Sequence, residues 1–543
     1  MRLVVPDSSA VPGSDCFDPG LKALIFPPLS KGMNPPAPSE RANCNLGTKL
    51  KVGAVARFLV VAAVIAACAG LGAQEAVKVA IHWDKPTVVL KTTPTLQVVV
   101  NPPLRPGQPL GEAAYKAVKE LGADYVRYVP WLPYPRLAVA ELEPPTAQKT
   151  SWDFSVIDPM TKDFLAATAG HPTVMNFSTS PTWLYKTDKP ATYPADANQV
   201  VWDYTQGTEL RDPTGKALGD YYGRLVSWYV NGGFTDENGV RHESGYHYKL
   251  PVWEVLNEVD FEHNMTPKQY TAEYDAIVEG IHRVSPETKF MGLAVAEPSK
   301  NPAIFEYFLN HAHHKAGIPL DYISYHFYAT PSARQTVEDW QYTFFNQADG
   351  FLNTVRYVES IRKRLSPETK TDLDELGVIL PTDNKAGDDV APPDAYWNLA
   401  GALYGYLYIE LSRMQIDIAG ESQLIGYPTQ FPSVSMMDWR SNKPNARFWV
   451  LKLIKDSFHL GDQLVDTSVG GTDLAAQGFV TPTGHKLLLI NKKNGSAEVA
   501  VEGVDKATVL VVDGDTGDNA ARSVKAADGK ITLEPFAVAV VSW

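Results

Sequence analysis

Cysteine is almost absent from this chain of 543 residues. The three cysteines, Cys16, Cys44 and Cys68, all lie in the first 70 residues. The rest of the sequence can therefore form no internal disulfide and no site in which a thiolate binds a metal. The fold must be stabilised by its core, and hydrophobic residues make up 44% of the sequence, which is enough for a substantial one.

Positive charge is also in short supply. Lys and Arg number 49 against 62 Asp and Glu, which gives a formal net charge of −13 at pH 7. Because nucleic-acid binding needs a basic surface, this balance argues against a nucleic-acid partner and mildly against a polyanionic substrate. No block of like charge is long enough to predict a disordered tail.

The N-terminal part has the order of a secretory signal. Three basic residues between positions 49 and 57 precede an apolar run, Phe58–Ala69, and small residues continue to Ala73. The run is short for a membrane span, so it predicts a signal peptide, with an uncleaved anchor as the alternative. The segment Ile65-Ala66-Ala67-Cys68 also fits a lipoprotein processing box, in which Cys68 would be lipidated. Either form of processing predicts an exported protein.

The stretch before that basic region is unusual for a signal peptide. About 48 residues precede the region, and they are rich in Pro and Ser without clear periodicity. Since signal peptides normally begin close to their basic residues, we expect either a start codon assigned too early or a cytoplasmic leader. Residues 1–75 are therefore interpreted as leader and signal peptide and take no part in the fold prediction.

Apolar strand-like runs alternate with amphipathic helical stretches through the middle of the chain. Eight such units can be counted, which predicts an α/β fold with a closed parallel (β/α)₈ barrel. The predicted strands are Leu96–Val100, Asp124–Val129, Thr173–Phe177, Val252–Asn257, Lys289–Leu293, Tyr322–His326, Thr371–Leu376 and Ile416–Ala419. An open doubly wound sheet is the alternative, but no Gly-rich nucleotide loop follows the first strand.

The pattern changes after Gly461, where short β runs are separated by turn signals such as Asn494-Gly495 and Asp513-Gly514. This part predicts a C-terminal β-sandwich. The segment Val77–Leu90 is also strand-like and can add strands to that sandwich. The sequence thus divides into 1–75, strands joining the sandwich at 76–94, a catalytic barrel at 95–458 and a β-sandwich at 459–543.

Two glutamates stand out, because the active residues of such barrels lie at the C-terminal ends of strands. Glu258 ends predicted strand four, and Glu375 lies at the end of strand seven. Glycosidic cleavage needs two carboxyl groups, one to protonate the leaving oxygen and one to attack the anomeric carbon or activate water. Strands four and seven lie on opposite sides of the barrel mouth, so the two side chains can face each other across a sugar ring. Glu254 lies earlier in predicted strand four and is interpreted as structural.

These motifs resemble those of clan A glycoside hydrolases, and most of all family 39, which contains β-xylosidases and α-L-iduronidases. The resemblance covers roughly residues 77–543. Two positions depart from the family pattern, since Val259 follows Asn-Glu where Pro is usual and Asp374 precedes Glu375 where Thr is usual. The matching motifs are Trp253-Glu254-Val255-Leu256-Asn257-Glu258, Asp321-Tyr322-Ile323-Ser324-Tyr325-His326 and Leu373-Asp374-Glu375-Leu376.

The resemblance implies a role for each residue at the mouth. Glu258 becomes the acid/base and Glu375 the nucleophile. Arg127 matches the arginine beside the nucleophile, where a cation keeps a carboxylate ionised. Asn257 is placed to bind the 2-hydroxyl of the sugar. Further candidates for contact with the sugar are His326 and Tyr328 after strand six, the aromatic residues Trp131, Trp183 and Trp397, and Glu421 after strand eight.

The preferred hypothesis is a retaining, exo-acting β-glycosidase similar to β-xylosidases, with an oligo- or polysaccharide substrate. There are two alternatives, an endo-acting clan A glycanase and an inactive carbohydrate-binding barrel. The presence of both glutamates argues against the inactive barrel. A pocket closed by the insertion at Thr179–Gly219 would favour exo action, whereas an open groove would favour endo action. The sequence indicates no cofactor and no metal, and the three histidines at 311, 313 and 314 are interpreted as a solvated helix face.

We predict that the exported protein begins near Cys68 or Gln74, because the basic, apolar and small segments end there. Intact-mass measurement of protein from the native host tests this. A mass that includes residues 1–60 in the exported form would contradict it, and a mass increment on Cys68 would identify a lipoprotein.

Overall fold

A computed structural model describes residues 76–187, 193–201, 204, 207–383, 392–426 and 431–543. The predicted leader and signal peptide, with all three cysteines, lie outside the described residues. Within the described part of the chain, no helix is long and apolar enough to cross a membrane.

Eight parallel strands form a closed barrel, which confirms the predicted fold class. Their side chains are almost entirely buried, as expected for parallel strands covered on both faces. The eighth strand closes the barrel on the first through pairs such as Ile418 with Thr93. In chain order, which is also the order around the barrel, the strands are Thr93–Val99, Val126–Val129, Thr173–Met175, Val252–Glu254, Lys289–Val295, Tyr322–Ala329, Lys370–Val378 and Ile418–Glu421.

Amphipathic helices follow the strands and cover the outside of the barrel. The helix after strand six begins at Val337, where Thr336 and Asp339 form a capping box. The helices are Pro109–Leu121, Ile157–Ala167, Lys216–Val230, Pro267–His282, Pro302–Phe308, Val337–Leu365, Asp394–Met414 and Ala446–Ser457. Two small hairpins interrupt the repeat, Gly233–Thr235 with Arg241–Glu243 and Met437–Asp438 with Lys443–Pro444.

The prediction of a solvated helix face at the three histidines is only partly right, because His311 and His313 are exposed but lie beyond the helix, and the His314 side chain is buried. The helix ends at Phe308, and a short 3₁₀ turn, His311–His313, follows it. His314 is buried, and its Nδ1 atom lies 2.6 Å from Asp275 Oδ1. His314 therefore ties the loop before strand six to the helix Pro267–His282 through a buried hydrogen bond.

A nine-stranded, mainly antiparallel sheet forms the C-terminal sandwich. Strand Val77–Val89 pairs antiparallel with Gln463–Val469 and parallel with Ala497–Val501, so the first described strand belongs to this sheet. Strands near both edges of the sheet supply side chains to one buried cluster, which means that the sheet folds over itself. The remaining strands are Leu474–Thr481, Gly484–Asn491, Thr508–Val512, Arg522–Val524, Lys530–Leu533 and Val538–Ser542.

Glycines allow two barrel helices, Lys216–Val230 and Pro267–His282, to pack backbone against backbone. A Cβ atom added at Gly280 would lie 1.9 Å from the carbonyl oxygen of Gly219, and one added at Gly219 would lie 2.3 Å from that of Ala276. Real Cβ atoms do not approach carbonyl oxygens so closely. The second of these helices follows strand four, so this contact helps to fix the part of the barrel that supplies Glu258.

We predict that Gly280→Ala lowers the free energy of unfolding by about 1–3 kcal/mol, because the added methyl group must push the two helices apart. Gly350→Ala is the matched control. Gly350 also lies inside a helix, but open space surrounds its Cβ position, so we expect a gain of about 0.5–1 kcal/mol. Denaturant unfolding of both variants tests the prediction. Equal changes in the free energy of unfolding of the two variants would contradict the proposed contact.

Candidate functional site

The guanidinium of Arg127, at the second barrel strand, is the centre of a polar cluster inside the barrel mouth. Its Nη1 atom donates to Glu375 Oε1 at 2.7 Å and to Gln97 Oε1 at 2.6 Å. Its Nη2 atom donates to Asn257 Oδ1 at 2.7 Å, and its Nε atom donates to Glu254 Oε2 at 2.5 Å. Arg127 is only 1% exposed. One buried cation thus joins side chains from strands one, two and seven and from strand four with the turn that follows it.

Glu258 and Glu375 lie close together, and both approach the same ring nitrogen of His326. His326 Nδ1 is 3.1 Å from Glu258 Oε1 and 3.5 Å from Glu375 Oε2. One carboxylate oxygen of each glutamate and one ring nitrogen of His326 all lie within 4.8 Å of one another. The Glu258 side chain is 17% exposed and the Glu375 side chain 8%. The strand-end positions therefore bring both predicted carboxyl groups to one small site.

The two carboxyl groups differ in their environment. Burial alone would raise the pKa of Glu375, but the cations His326 and Arg127 and a hydrogen bond from Tyr328 outweigh it and hold the pKa below its usual value. Tyr328 Oη donates to Glu375 Oε2 at 2.5 Å. Burial raises the pKa of Glu258, and His326 opposes this effect only in part. The surroundings therefore push the two pKa values apart, the difference on which acid–base catalysis by two carboxyl groups depends.

The backbone that presents Glu258 is strained. Leu256 has φ 61° and Glu258 has φ 41°, both in the left-handed region that residues with a side chain rarely adopt. Each such residue costs on the order of 1–3 kcal/mol, and such residues concentrate at functional sites. Asn176 Nδ2 donates to the Leu256 carbonyl at 2.9 Å, and the Glu258 amide donates to the Ala294 carbonyl at 2.9 Å. These hydrogen bonds offset part of the strain.

Asp374, next to Glu375, is a buried carboxyl group of the same cluster that the sequence did not assign to the site. Its Oδ2 atom lies 2.9 Å from Arg127 Nε, and its Oδ1 atom lies 3.6 Å from His326 Nε2. Burial raises the pKa of Asp374 well above its usual value, since Arg127 opposes the effect only in part and Glu254 adds to it. The raised pKa favours the neutral form of Asp374, which would limit the negative charge that Arg127 has to balance.

Other polar residues of the mouth were also missed, although the rule that selected Glu258 could have found several. Asn176 directly follows strand three, and Ser422 directly follows strand eight. The other missed residues occupy inward positions inside a strand or lie in a loop, where the strand-end rule does not apply; they are Gln97, Ser324 and Glu262.

The structure corrects the prediction that Glu421 binds a sugar hydroxyl. Its Oε1 atom accepts a hydrogen bond from Arg447 Nε at 2.8 Å, and both side chains are 1% exposed. Arg447 belongs to the helix outside the barrel, so Glu421 points away from the mouth. Successive residues of a strand point to opposite faces, and the next residue, Ser422, is the one inside. Its Oγ atom lies 2.5 Å from Tyr328 Oη and accepts from Gln97 Nε2 at 2.5 Å.

The three predicted tryptophans occupy different surroundings. Trp131 is half-buried, and its indole N–H donates to Glu262, which also contacts Asn257. Trp183 donates to the carbonyl of Glu141 at 2.9 Å, and Trp397 packs edge-on against Tyr396 with ring centroids 5.1 Å apart. Trp131 is therefore linked to the cluster by hydrogen bonds, and the stacking roles of all three stay predictions.

The family model described as glycosyl hydrolases family 39 matches residues 222–374. The matched range includes Glu258 and His326 and ends one residue before Glu375. The chain is a glycoside hydrolase, and over residues 222–374 it is similar to family 39. A second family model, the C-terminal immunoglobulin-like domain of D-apionate lactonase, matches residues 472–541 of the glycoside hydrolase, inside the C-terminal sandwich.

Solved structures share the fold of this glycoside hydrolase at low sequence identity. The family 51 arabinofuranosidase of Xanthomonas axonopodis pv. citri matches with a TM-score of 0.58 and 11% identity, covering 86% of this chain and 99% of its own. A glucosidase of Croceicoccus marinus gives a TM-score of 0.55, 14% identity and coverage of 86% and 98%. A family 30 endoxylanase of Clostridium papyrosolvens gives a TM-score of 0.51 and 13% identity, covering 86% of this chain and 99% of its own. A comparison with curated protein sequences gave no match.

We predict that Arg127→Met lowers the free energy of unfolding at pH 7 by about 3–5 kcal/mol, because it leaves buried carboxylates without their cation. This loss in the free energy of unfolding should become smaller as the pH falls toward 5. Buried carboxyl groups that lose their cation have raised pKa values in the folded state, so the folded variant binds more protons than the unfolded one and gains stability at low pH.

Arg283→Met is the control for this measurement. Arg283 pairs with Asp220 at 2.6 Å, but its side chain is 56% exposed, so we expect a change of about 0–1 kcal/mol with little dependence on pH. Urea unfolding of both variants at pH 5 and pH 7 measures the free energy of unfolding in each of the four cases. A similar small change in both variants would show that the carboxyl cluster does not depend on Arg127.

Proposed function

We propose that this glycoside hydrolase retains the anomeric configuration, with Glu258 as acid/base and Glu375 as nucleophile. The observation that carries the proposal is the separation of the two side chains, of which one oxygen each lies within 4.8 Å of the other. Retaining enzymes hold their carboxyl groups about 5–5.5 Å apart, whereas inverting enzymes need about 6.5–9.5 Å to admit a water molecule. Oxygens this close suit the shorter, retaining separation better than the longer, inverting one, which supports direct attack by a carboxylate.

The reaction proceeds in two displacements. Glu375 attacks the anomeric carbon, while Glu258 gives its proton to the glycosidic oxygen and the bond to the leaving group breaks. A water molecule then attacks the glycosyl–enzyme, and Glu258, now a carboxylate, takes a proton from that water as Glu375 is released. The lowered pKa of Glu375 suits both steps, because it keeps the nucleophile ionised and makes it a better leaving group.

The side chains around the two glutamates support this division of work. Arg127 and Tyr328 hold the two oxygens of Glu375, so that the carboxylate keeps a fixed orientation toward the sugar. His326 Nδ1 approaches both glutamates, and a protonated His326 balances the charge of Glu375 when Glu258 is neutral. Asn257 is anchored beside them and is proposed to bind the 2-hydroxyl, where hydrogen bonds strengthen in the transition state.

We further infer exo action on a β-xyloside or a related pyranoside. The insertion after strand three packs against loops that follow strands one and two. The Val201 amide donates to the Pro133 carbonyl at 2.7 Å, and Arg105 Nη1 donates to Asn198 Oδ1 at 2.8 Å. A wall on this side of the mouth supports a pocket closed at one end. The resemblance to β-xylosidases supports the choice of sugar.

A panel of nitrophenyl glycosides, assayed beside soluble xylan and cellulose derivatives, tests the sugar and the mode of action. Release of single sugar units from chain ends is the expected result. A rapid fall in the viscosity of the polymer would indicate endo action instead. Binding of sugars without any turnover would indicate a carbohydrate-binding barrel.

We also propose that the enzyme acts outside the cytoplasm, either released after cleavage near Gln74 or attached to a membrane through a lipidated Cys68. The basic, apolar and small segments between residues 49 and 73 support this proposal. An oligosaccharide substrate outside the cell agrees with it.

We predict that azide rescues the two glutamate variants with opposite stereochemistry. In Glu258→Ala the nucleophile is intact, so a substrate with a good leaving group still forms the glycosyl–enzyme, and azide replaces water without needing a base. In Glu375→Ala azide can attack only from the opposite face of the sugar. Nuclear magnetic resonance of the glycosyl azide should show retained configuration for the first variant and inverted configuration for the second.

The control is Glu279→Ala on an outer helix, where the side chain pairs with Lys315 and is 47% exposed. This variant should keep the activity of the parent and form no azide product beyond the parent's. An inverted azide from Glu258→Ala would exchange the roles of the two glutamates. Full activity of both active-site variants would exclude them from catalysis.

A further inference from the structure

Glu262 lies in the loop after strand four, four residues beyond Glu258, and is half-buried. Its Oε1 atom accepts two hydrogen bonds, one from Asn257 Nδ2 at 3.1 Å and one from the indole N–H of Trp131. Its Oε2 atom is buried and has no hydrogen-bond partner among the described residues. The reaction described above uses none of these contacts, although they reach the proposed sugar-binding amide.

The amide of Asn257 is held at both ends. Its Oδ1 atom accepts from Arg127 Nη2 at 2.7 Å, and a guanidinium offers only donors. Its Nδ2 atom faces Glu262 Oε1, which acts as an acceptor. Only one of the two orientations of the amide satisfies both neighbours. The contact with Glu262 uses one of the two Nδ2 hydrogens, and the other is left for an oxygen of the substrate.

We propose that Glu262 is a positioning residue that fixes the plane of the Asn257 amide, so that its second N–H points at the 2-hydroxyl of the sugar. The inference rests on the proposed function. With Arg127 alone, the amide can turn about its Oδ1 contact. With Glu262 as a second anchor, the rotation is stopped before substrate binds, and a donor fixed in advance loses less freedom when the transition state forms.

The surroundings of Glu262 also indicate that it acts as a neutral acid. Burial raises its pKa well above the usual value, and the nearby Glu258 adds to the effect. Because Oε1 already accepts two N–H groups, the proton belongs on Oε2. Glutamine has the same shape, with an oxygen that accepts and a nitrogen that donates. Gln at this position should therefore replace Glu without loss of function.

The test compares Glu262→Ala and Glu262→Gln on two substrates. One is the nitrophenyl glycoside that the unmodified enzyme cleaves fastest, and the other is its 2-deoxy analogue with a dinitrophenyl leaving group. Loss of a well-placed hydrogen bond should cost Glu262→Ala about 10- to 100-fold in kcat/KM on the glycoside, which corresponds to about 1.4–2.7 kcal/mol. On the 2-deoxy analogue we expect a change of less than about threefold. Glu262→Gln should stay within about threefold of the parent on both substrates.

Asn257→Ala completes the comparison. It should show the same selective loss of kcat/KM as Glu262→Ala. The double variant should lose no more kcat/KM than the worse single variant, because both changes remove the same interaction. Glu262→Leu, which keeps the volume of the side chain, replaces Glu262→Ala if circular dichroism shows that the latter does not fold.

Two results would overturn the inference. An equal loss on the glycoside and on the 2-deoxy analogue would show that Glu262 does not act through the 2-hydroxyl. A Gln variant as impaired as the Ala variant would show that a carboxylate charge is needed. Failure of the proposed function is recognised separately, because Glu375→Ala would then keep full activity on the same glycoside whatever the result for Glu262.

Discussion

The buried guanidinium of Arg127 is the interaction on which the site depends. Its hydrogen bonds reach Gln97, Glu254, Asn257 and Glu375, so one side chain sets the distance between strands on opposite sides of the mouth. Such a cation is stable inside a protein only if its donors are paired and its charge is balanced. The carboxyl groups around it are therefore part of one electrostatic unit.

The balance of charge in this unit explains how two glutamates a few ångströms apart acquire different properties. Arg127 is one cation, and the pKa of His326 is raised by Glu375 and Glu258 although burial opposes this. The pKa of Glu375 is lowered, whereas burial raises the pKa of Glu258. The pKa of Glu254 is lowered too, since Arg127 outweighs its burial. The pKa values of Glu375 and Glu254 are thus lowered beside Arg127, whereas burial raises those of Glu258 and Asp374.

The sequence predicted the barrel well because its strands are apolar runs separated by amphipathic helices, and each of the eight overlaps an observed strand. The strand-end rule also found Glu258, Glu375 and Tyr328. It could not find Glu262, which lies in an irregular loop and reaches the site only through a hydrogen bond. It misplaced Glu421 because strand eight ends one residue earlier than the position that faces inward. Periodicity locates an element to within a residue or two, and one residue decides which way a side chain points.

The pairing of Val77–Val89 with strands from the far end of the chain affects how the protein is made. Val77 lies beside Val499, so the first of these strands leaves the ribosome more than 400 residues before its parallel neighbour. During that time both of its edges are open to pairing with other chains. Its outward residues include Lys78, Asp84 and Lys85, and few of its positions are fully buried even in the finished sheet. Charged side chains on an unpaired strand disfavour such pairing, and a polypeptide interrupted before residue 497 would keep that strand without its parallel neighbour.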